Sequence, residues 1–160
     1  MKTRLLIVLA LIFCAGTSCE KKIDIAKEEA AIKALFEKNK TDYFNGDYTA
    51  VSEAWVKDSK SVKMWISDKG VENIVGWENI AASEKKEVQD RTWNPKEMNF
   101  SVSFYHFDIK KDWAWVLSNT KWESNINGEK FVGKQNRISI LKKIDGQWKF
   151  SLFTFYKMPD

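Results

Sequence analysis

Few side chains in this sequence could carry out chemistry, and His106 is the foremost of them. It is the only histidine in the 160-residue chain. Because imidazole titrates near neutral pH, His106 could act as a general base in an apolar pocket. The amide of Asn119 or Asn136 could then polarise a carbonyl group of a substrate. The alternative is a structural histidine that forms a hydrogen bond with Asn119.

Two charged residues each have a functional and a structural interpretation. Asp58 could be an acid within a pocket, or it could cap the turn into the first strand. Arg137 is expected near Trp122 and Tyr156, where it could clamp a carboxylate or stack on an aromatic ring. Alternatively, Arg137 is solvated on the outer face of a sheet. The sequence alone leaves both residues open.

The composition argues against several other classes of chemistry. One histidine, with both cysteines confined to positions 14 and 19, cannot assemble a His-rich metal site, so we expect no metal and no cofactor. The chain has neither a Gly-x-Ser-x-Gly elbow nor a glycine-rich phosphate loop. The net charge is +4, but lysine and glutamate are interspersed, so we expect no nucleic-acid partner.

The first 19 residues, MKTRLLIVLALIFCAGTSC, have the three-part layout of a secretory signal. Their apolar run is far shorter than the roughly 20 residues of a membrane-spanning helix. The small residues before Cys19 resemble a bacterial lipobox, although Gly16 departs from its usual aliphatic residue. We predict a lipoprotein signal peptide (1–18), a lipidated Cys19 with a short tether (19–23), and anchoring in the cell envelope, on the periplasmic side or at the outer membrane. An ordinary signal peptide with a stray cysteine is the alternative.

Hydrophobic periodicity and turn residues predict helices followed by strands, an α+β class. Asp24 and Gly46 should cap a first helix over 24–45, and a short second helix follows Asp47. The remaining predicted elements are a strand over 61–67, a helix over 77–88, and strands over 97–109, 113–123, 129–143 and 147–157. Asn127-Gly128 and Asp145-Gly146 favour two-residue hairpin turns.

Those turns fix the register of the strands and therefore the composition of each face. They place Trp115 opposite Ile140 and Asn119 opposite Asn136. They also place Ile138 opposite Phe153 and Asn136 opposite Phe155, while a Lys111-Asp112 loop would put Phe104 by Asn119 and His106 by Leu117. One face would then be mostly apolar, with a central polar group: Phe104, His106, Trp115, Leu117, Asn119, Asn136, Ile138, Ile140, Phe153 and Phe155. The other face would be mixed and would include Arg137.

Four short segments resemble the NTF2-like superfamily, and within it the SnoaL-like, DUF4440-type branch. They are residues 43–47 (YFNGD), the stretch from Trp55 to Asp58, residues 75–80 (VGWENI), and the final hairpin at 141–150 (LKKIDGQWKF). The resemblance implies one domain over 24–160, a cone in which a curved antiparallel sheet packs against about three N-terminal helices. It also implies dimers formed through the sheet. Many relatives carry a histidine in the last strand, but residues 151–156 contain none.

From these observations we expect a domain that binds a small, largely apolar molecule without assigned catalysis. The expected ligand-binding residues are Trp65, His106, Trp115, Asn119, Asn136 and Phe155. One alternative is an isomerase, cyclase or dehydratase that uses His106 or Asp58. A second alternative is a protein-interaction or oligomerisation module. We further expect a homodimer on the face that carries Trp122, Leu141, Trp148 and Leu152.

Overall fold

A computed structural model describes residues 22–90, 98–126 and 129–157 of the chain. In these ranges the helices are α1 (Ile25–Asn45), α2 (Tyr48–Glu53) and α3 (Trp77–Gln89). The strands are β1 (Val62–Ser67), β2 (Gly70–Val75), β3 (Met98–Ile109), β4 (Trp113–Ile126), β5 (Glu129–Ile144) and β6 (Gln147–Lys157). The predicted signal peptide, Cys19 and the Asn127-Gly128 turn lie outside the described residues. None of the helices in these ranges has the length and apolar character needed to cross a membrane.

The first helix begins and ends where its capping residues predict. The Asp24 side chain accepts a hydrogen bond from the Lys27 backbone amide at 3.1 Å. Gly46 ends the helix in the left-handed conformation with φ of 77°, which glycine adopts without steric cost. The buried residues of α1, Ile32 and Phe36, are four apart and therefore share the helix face that packs on the sheet.

The six strands form one sheet in the order β2-β1-β6-β5-β4-β3. Strand β1 is parallel to β6, and the other neighbours are antiparallel. The α+β prediction is confirmed, but the sequence interpretation missed β2. This edge strand is largely exposed on both sides, so it lacks the alternation of apolar and polar residues that reveals a half-buried strand.

One face of the sheet, which we term the inner face, packs against the helices. Its buried residues include Ala114 and Val116 on β4, Leu141 on β5 and Phe150 on β6. Phe36 of α1 contacts the rings of Phe104 and Phe150 edge-on, with centroids 5.2 and 5.0 Å apart. The predicted dimer face is therefore wrong, because Leu141 and Trp148 are buried in this core at 0% and 5% exposure.

Two β-bulges explain why the residues observed on each face of the sheet differ from those predicted. The pairings of Trp115 with Ile140, of Asn119 with Asn136 and of His106 with Leu117 are confirmed. However, the register shifts between Phe104 and His106, so Phe104 lies opposite Ser118 instead of Asn119. A second shift between Ile140 and Leu141 places Phe153 opposite Ser139 instead of Ile138, and Asn136 opposite Tyr156 instead of Phe155. Each extra residue turns the following side chains to the other face.

Candidate functional site

Arg137 of β5 points from the inner face into a group of aromatic rings. Its guanidinium carbon lies 4.8 Å from the ring centre of Phe155, 5.0 Å from that of Phe153 and 5.5 Å from that of Phe100. Such distances permit cation–π attraction. The interpretation of Arg137 as a solvated outer-face residue is wrong, and ring stacking agrees with the structure, although with other rings than Trp122 and Tyr156.

The Arg137 cation has no ionic partner among the described residues. None of their carboxylates forms an ion pair with it, and its Nε atom is buried without a hydrogen-bond partner. Burial lowers the pKa of Arg137 from its ordinary value to about 10, and the nearby phenol of Tyr43 opposes part of that change. The fold therefore holds a desolvated positive charge at this position.

Further polar atoms around Arg137 are buried without partners. The hydroxyl oxygens of Ser118, Thr120 and Ser139 belong to this group. Ser118 lies directly opposite Arg137 in the sheet, and Thr120 and Ser139 are two positions along the same strands. We call Arg137 and these three residues the Arg137 cluster. Each buried polar group without a partner costs about 1–3 kcal/mol, so their concentration on one surface requires an explanation.

Beside the cluster lie the rings of Trp65, Phe100, Phe104, Phe153 and Phe155, which we call the aromatic wall. The position of these rings depends on local features of the backbone. The two β-bulges turn Phe104 and Phe153 inward. At Gly133, directly opposite Trp122, an added Cβ atom would overlap the Trp122 indole, so the absence of a side chain lets the indole lie across the strand. Phe44 of α1 contacts Phe100 with ring centroids 5.4 Å apart, which joins the end of α1 to the wall.

Two of the predicted ligand-binding residues, Trp65 and Phe155, lie in this wall. Their rings stack with centroids 5.5 Å apart and an interplanar angle of 9°. Trp65 of β1 pairs in register with Phe155 of β6, and Phe155 contacts the Arg137 cation. The structure therefore brings these two residues together with the Arg137 cluster.

The other four predicted residues lie on the opposite, outer face of the sheet. His106 is exposed and packs against Trp115 with ring centroids 4.8 Å apart. The Asn119 side chain donates a hydrogen bond to the Asn136 Oδ1 atom at 3.0 Å. The structure does not unite these four residues with Phe155, because the bulges place Phe155 on the inner face.

Asp58 has the contacts of a turn cap. Its carboxylate accepts hydrogen bonds from the Lys60 backbone amide at 2.8 Å and the Ser61 hydroxyl at 3.2 Å. Lys142 pairs with the same carboxylate at 3.4 Å. Burial alone would raise the pKa of Asp58, but the hydrogen bonds from Lys60 and Lys142 hold it below the usual value. Because the ionised form is favoured, Asp58 is a poor proton donor in this state.

A second charged group, which the sequence interpretation missed, lies between β1 and α3. Lys63 is 1% exposed, and its Nζ atom lies 3.0 Å from Glu84 Oε1 and 2.8 Å from Glu87 Oε1. Burial raises the pKa of Glu84; Lys63 opposes this and Glu87 reinforces it. The available signal was Glu84 itself, an acidic residue on the buried stripe of α3 with Ile80 and Val88.

We call Lys63, Glu84 and Glu87 the Lys63 cluster. Its cation lies 4.8 Å from the Trp65 ring centre, so Trp65 and Phe155 separate it from the Arg137 cluster. In the described ranges, no group of three or more histidine, cysteine or acidic side chains is arranged to hold a metal ion.

Comparison with known proteins identifies the fold but not the activity. No protein-family model and no curated protein matches the sequence. Among solved structures, a putative scytalone dehydratase from Novosphingobium aromaticivorans has a TM-score of 0.67 at 14% identity, covering 84% of this chain and 86% of its own. An NTF2-like protein from Shewanella oneidensis has a TM-score of 0.62 at 13% identity, covering 81% and 99%.

A third similar structure, a ketosteroid isomerase-like protein from Erwinia carotovora, has a TM-score of 0.58 at 18% identity and covers 82% of this chain and 96% of its own. Together these matches establish the NTF2-like fold predicted from the sequence. At such identities the likeness extends to the fold alone, and functions differ among proteins that share a fold.

Proposed function

We propose that this NTF2-like domain binds a small, largely apolar molecule at its inner face, beneath the C-terminal half of α1. The observation that carries the proposal is the Arg137 cluster, a set of buried polar atoms without partners on an aromatic wall. Ligand sites are usually apolar surfaces with a few convergent polar groups. A bound ligand, together with ordered water, would supply the missing hydrogen-bond partners.

The proposal assigns no catalysis to this site. Asp58, which was the predicted acid candidate, and Glu84, whose pKa is raised, are both engaged by lysine side chains. An isomerase or dehydratase is the second candidate, favoured by the raised pKa of Glu84 and by the names of two structurally similar proteins. Ligand recovered chemically unchanged after incubation supports the binder, whereas turnover supports the enzyme.

Binding of the neutral fluorophore N-phenyl-1-naphthylamine tests the position of the site. Replacing Ser139 by leucine fills space at the inner face and should weaken binding at least tenfold. The matched variant Asn136→Leu introduces the same side chain on the outer face and should leave affinity unchanged. Circular dichroism verifies that both variants are folded. The reverse pattern would move the site to the outer face, around His106, Trp115 and Asn119.

The proposal includes export and lipid anchoring through Cys19. The support is the sequence of residues 1–19 alone, with its basic start, apolar run and small residues before the cysteine. A lipidated domain would work at a membrane surface of the cell envelope. The Cys19→Ala variant should move from the membrane to the soluble fraction, and unchanged membrane retention would contradict the anchor.

The proposal also includes a homodimer, now through the outer face. Ile138 and Ile140 are 47% and 38% exposed there, and Trp113 is 41% exposed. Leu117 and Trp115 lie opposite the two isoleucines in register, so the apolar side chains are contiguous. Sedimentation equilibrium should give twice the monomer mass, and Ile138→Lys should give the monomer mass. A wild-type monomer at tens of micromolar would contradict the dimer.

A further inference from the structure

We propose that the ligand of the inner-face site carries a carboxylate group and that Arg137 is the residue that recognises it. This inference rests on the proposed binding function and adds the chemical class of the ligand. It is carried by the buried Nε atom of Arg137, which has no hydrogen-bond partner among the described residues, on a surface where the hydroxyl groups of Ser118, Thr120 and Ser139 also have none.

The carboxylates that the structure describes around the inner face are paired elsewhere and leave the positive charge of Arg137 unbalanced. Glu84 and Glu87 both pair with Lys63, while Glu28 pairs with Lys143 at 2.6 Å. Asp58 is occupied by Lys142 and its own turn. Among the described residues, no acidic side chain balances Arg137, so a bound anion is the partner that would do so.

The donor groups match a carboxylate better than a neutral acceptor. A guanidinium offers a planar edge of N–H groups, and a carboxylate can accept two of them in parallel. The free Nε atom of Arg137 belongs to that edge. Ser118, directly opposite Arg137 in the sheet, places a hydroxyl donor beside it, and Ser139 lies two positions farther along β5. These groups can complete the hydrogen bonding of the two oxygen atoms.

The rings around the cation indicate what the rest of the ligand should be. Phe153 and Phe155 lie within about 5 Å of the guanidinium carbon, and Trp65 extends the wall beyond Phe155. A flat apolar body would contact these rings while its carboxylate meets Arg137. The expected ligand class is therefore a small aromatic or similarly planar monocarboxylate.

Matched acids and amides provide the test, because each pair differs in charge and little in shape. The probes are benzoate and benzamide, phenylacetate and phenylacetamide, and 1-naphthoate and 1-naphthamide, titrated at pH 7 by calorimetry. Wild-type protein should bind at least one acid tenfold or more tightly than its amide. Arg137→Met should lose this preference, and Arg137→Lys should retain part of it.

The control for net charge is Lys134→Met. Lys134 is an exposed residue of the same strand, three positions from Arg137 and on the other face, so its loss should leave the preference intact. An acid preference that survives in Arg137→Met overturns the inference. So does wild-type protein that binds N-phenyl-1-naphthylamine but binds no acid more tightly than its amide, although the proposed binding function then stands. Failure to bind the fluorophore and all six probes overturns both.

Discussion

Two cations lie on the inner face of this sheet, Lys63 fully buried and Arg137 with a buried Nε atom, and their surroundings differ in one respect. Lys63 has two carboxylates within 3.0 Å, both from α3. Arg137 has three aromatic rings and several unpaired neutral groups, and no described carboxylate pairs with it. The same sheet therefore contains one charge that is neutralised inside the fold and one that is not.

The difference distinguishes a charge that holds the fold together from a charge available to a ligand. The Lys63 cluster joins β1 to α3, so its ion pairs fix a helix on the sheet. At Arg137 the fold gains no such link and bears the cost of desolvation. The fall of the pKa of Arg137 to about 10 corresponds to a cost of about 3 kcal/mol. Proteins tend to break such rules of stability at functional sites.

The largest change in stability should come from removing Lys63, the cation that is paired with carboxylates. Lys63→Met leaves the buried Glu84 and the partly exposed Glu87 without their counter-ion and should lower the free energy of unfolding by about 3–5 kcal/mol. Urea denaturation measures this change. Lys57→Met removes a surface lysine that pairs with Glu53, four residues earlier in the chain, and should change stability by less than about 0.5 kcal/mol. Equal, small losses in both variants would mean that the Lys63 cluster does not hold α3.

Removing the cation of Arg137 should raise the free energy of unfolding, whereas removing that of Lys63 should lower it. Arg137→Met leaves no carboxylate of the described residues without a partner and removes a desolvated charge while keeping an apolar side chain of similar reach. The ligand-free protein should therefore become more stable by about 1–3 kcal/mol in the same urea experiment. A loss of 3 kcal/mol or more would place Arg137 in the same structural class as Lys63 and would remove the distinction.

The stability of the protein should also depend on pH through Glu84 of the Lys63 cluster, and this effect should be smaller than those of the two substitutions. The pKa of Glu84 is raised above 4.5, so the folded protein holds this proton more tightly than the unfolded chain. The resulting stability is complete below pH 4.5 and is lost as the pH rises through the raised value. The wild type should therefore lose stability relative to Glu84→Gln between pH 4.5 and 8. A difference in unfolding free energy that stays constant over this range would show that Glu84 is not perturbed.

Much of the fold could be predicted because local residues determine it. Asp24 and Gly46 mark the ends of α1, and Asp145-Gly146 forms the predicted turn between β5 and β6. Trp115 and Ile140 pair as the hairpin register requires. In each case a few adjacent residues fix the backbone, so no knowledge of distant contacts is needed.

The site could be predicted only in part, because it depends on two bulges that no turn residue marks. Tyr105 and Ser151 are the extra residues at the register shifts. Tyr105 turns Phe104 inward, and Ser151 places Phe155 on the face of Arg137, while Trp115 and Asn136 lie on the other. Whether a lysine such as Lys63 is neutralised is equally invisible in the sequence, since Glu84 and Glu87 lie more than 20 residues away.

A crystal structure with the tightest-binding carboxylate of the three acids tests the central claim most directly. The account predicts the ligand at the inner face, with its carboxylate oxygen atoms within hydrogen-bond distance of the Arg137 guanidinium and its ring against Phe155. A ligand bound at the outer face beside Trp115, with Arg137 paired to a carboxylate of the protein itself, would contradict the account.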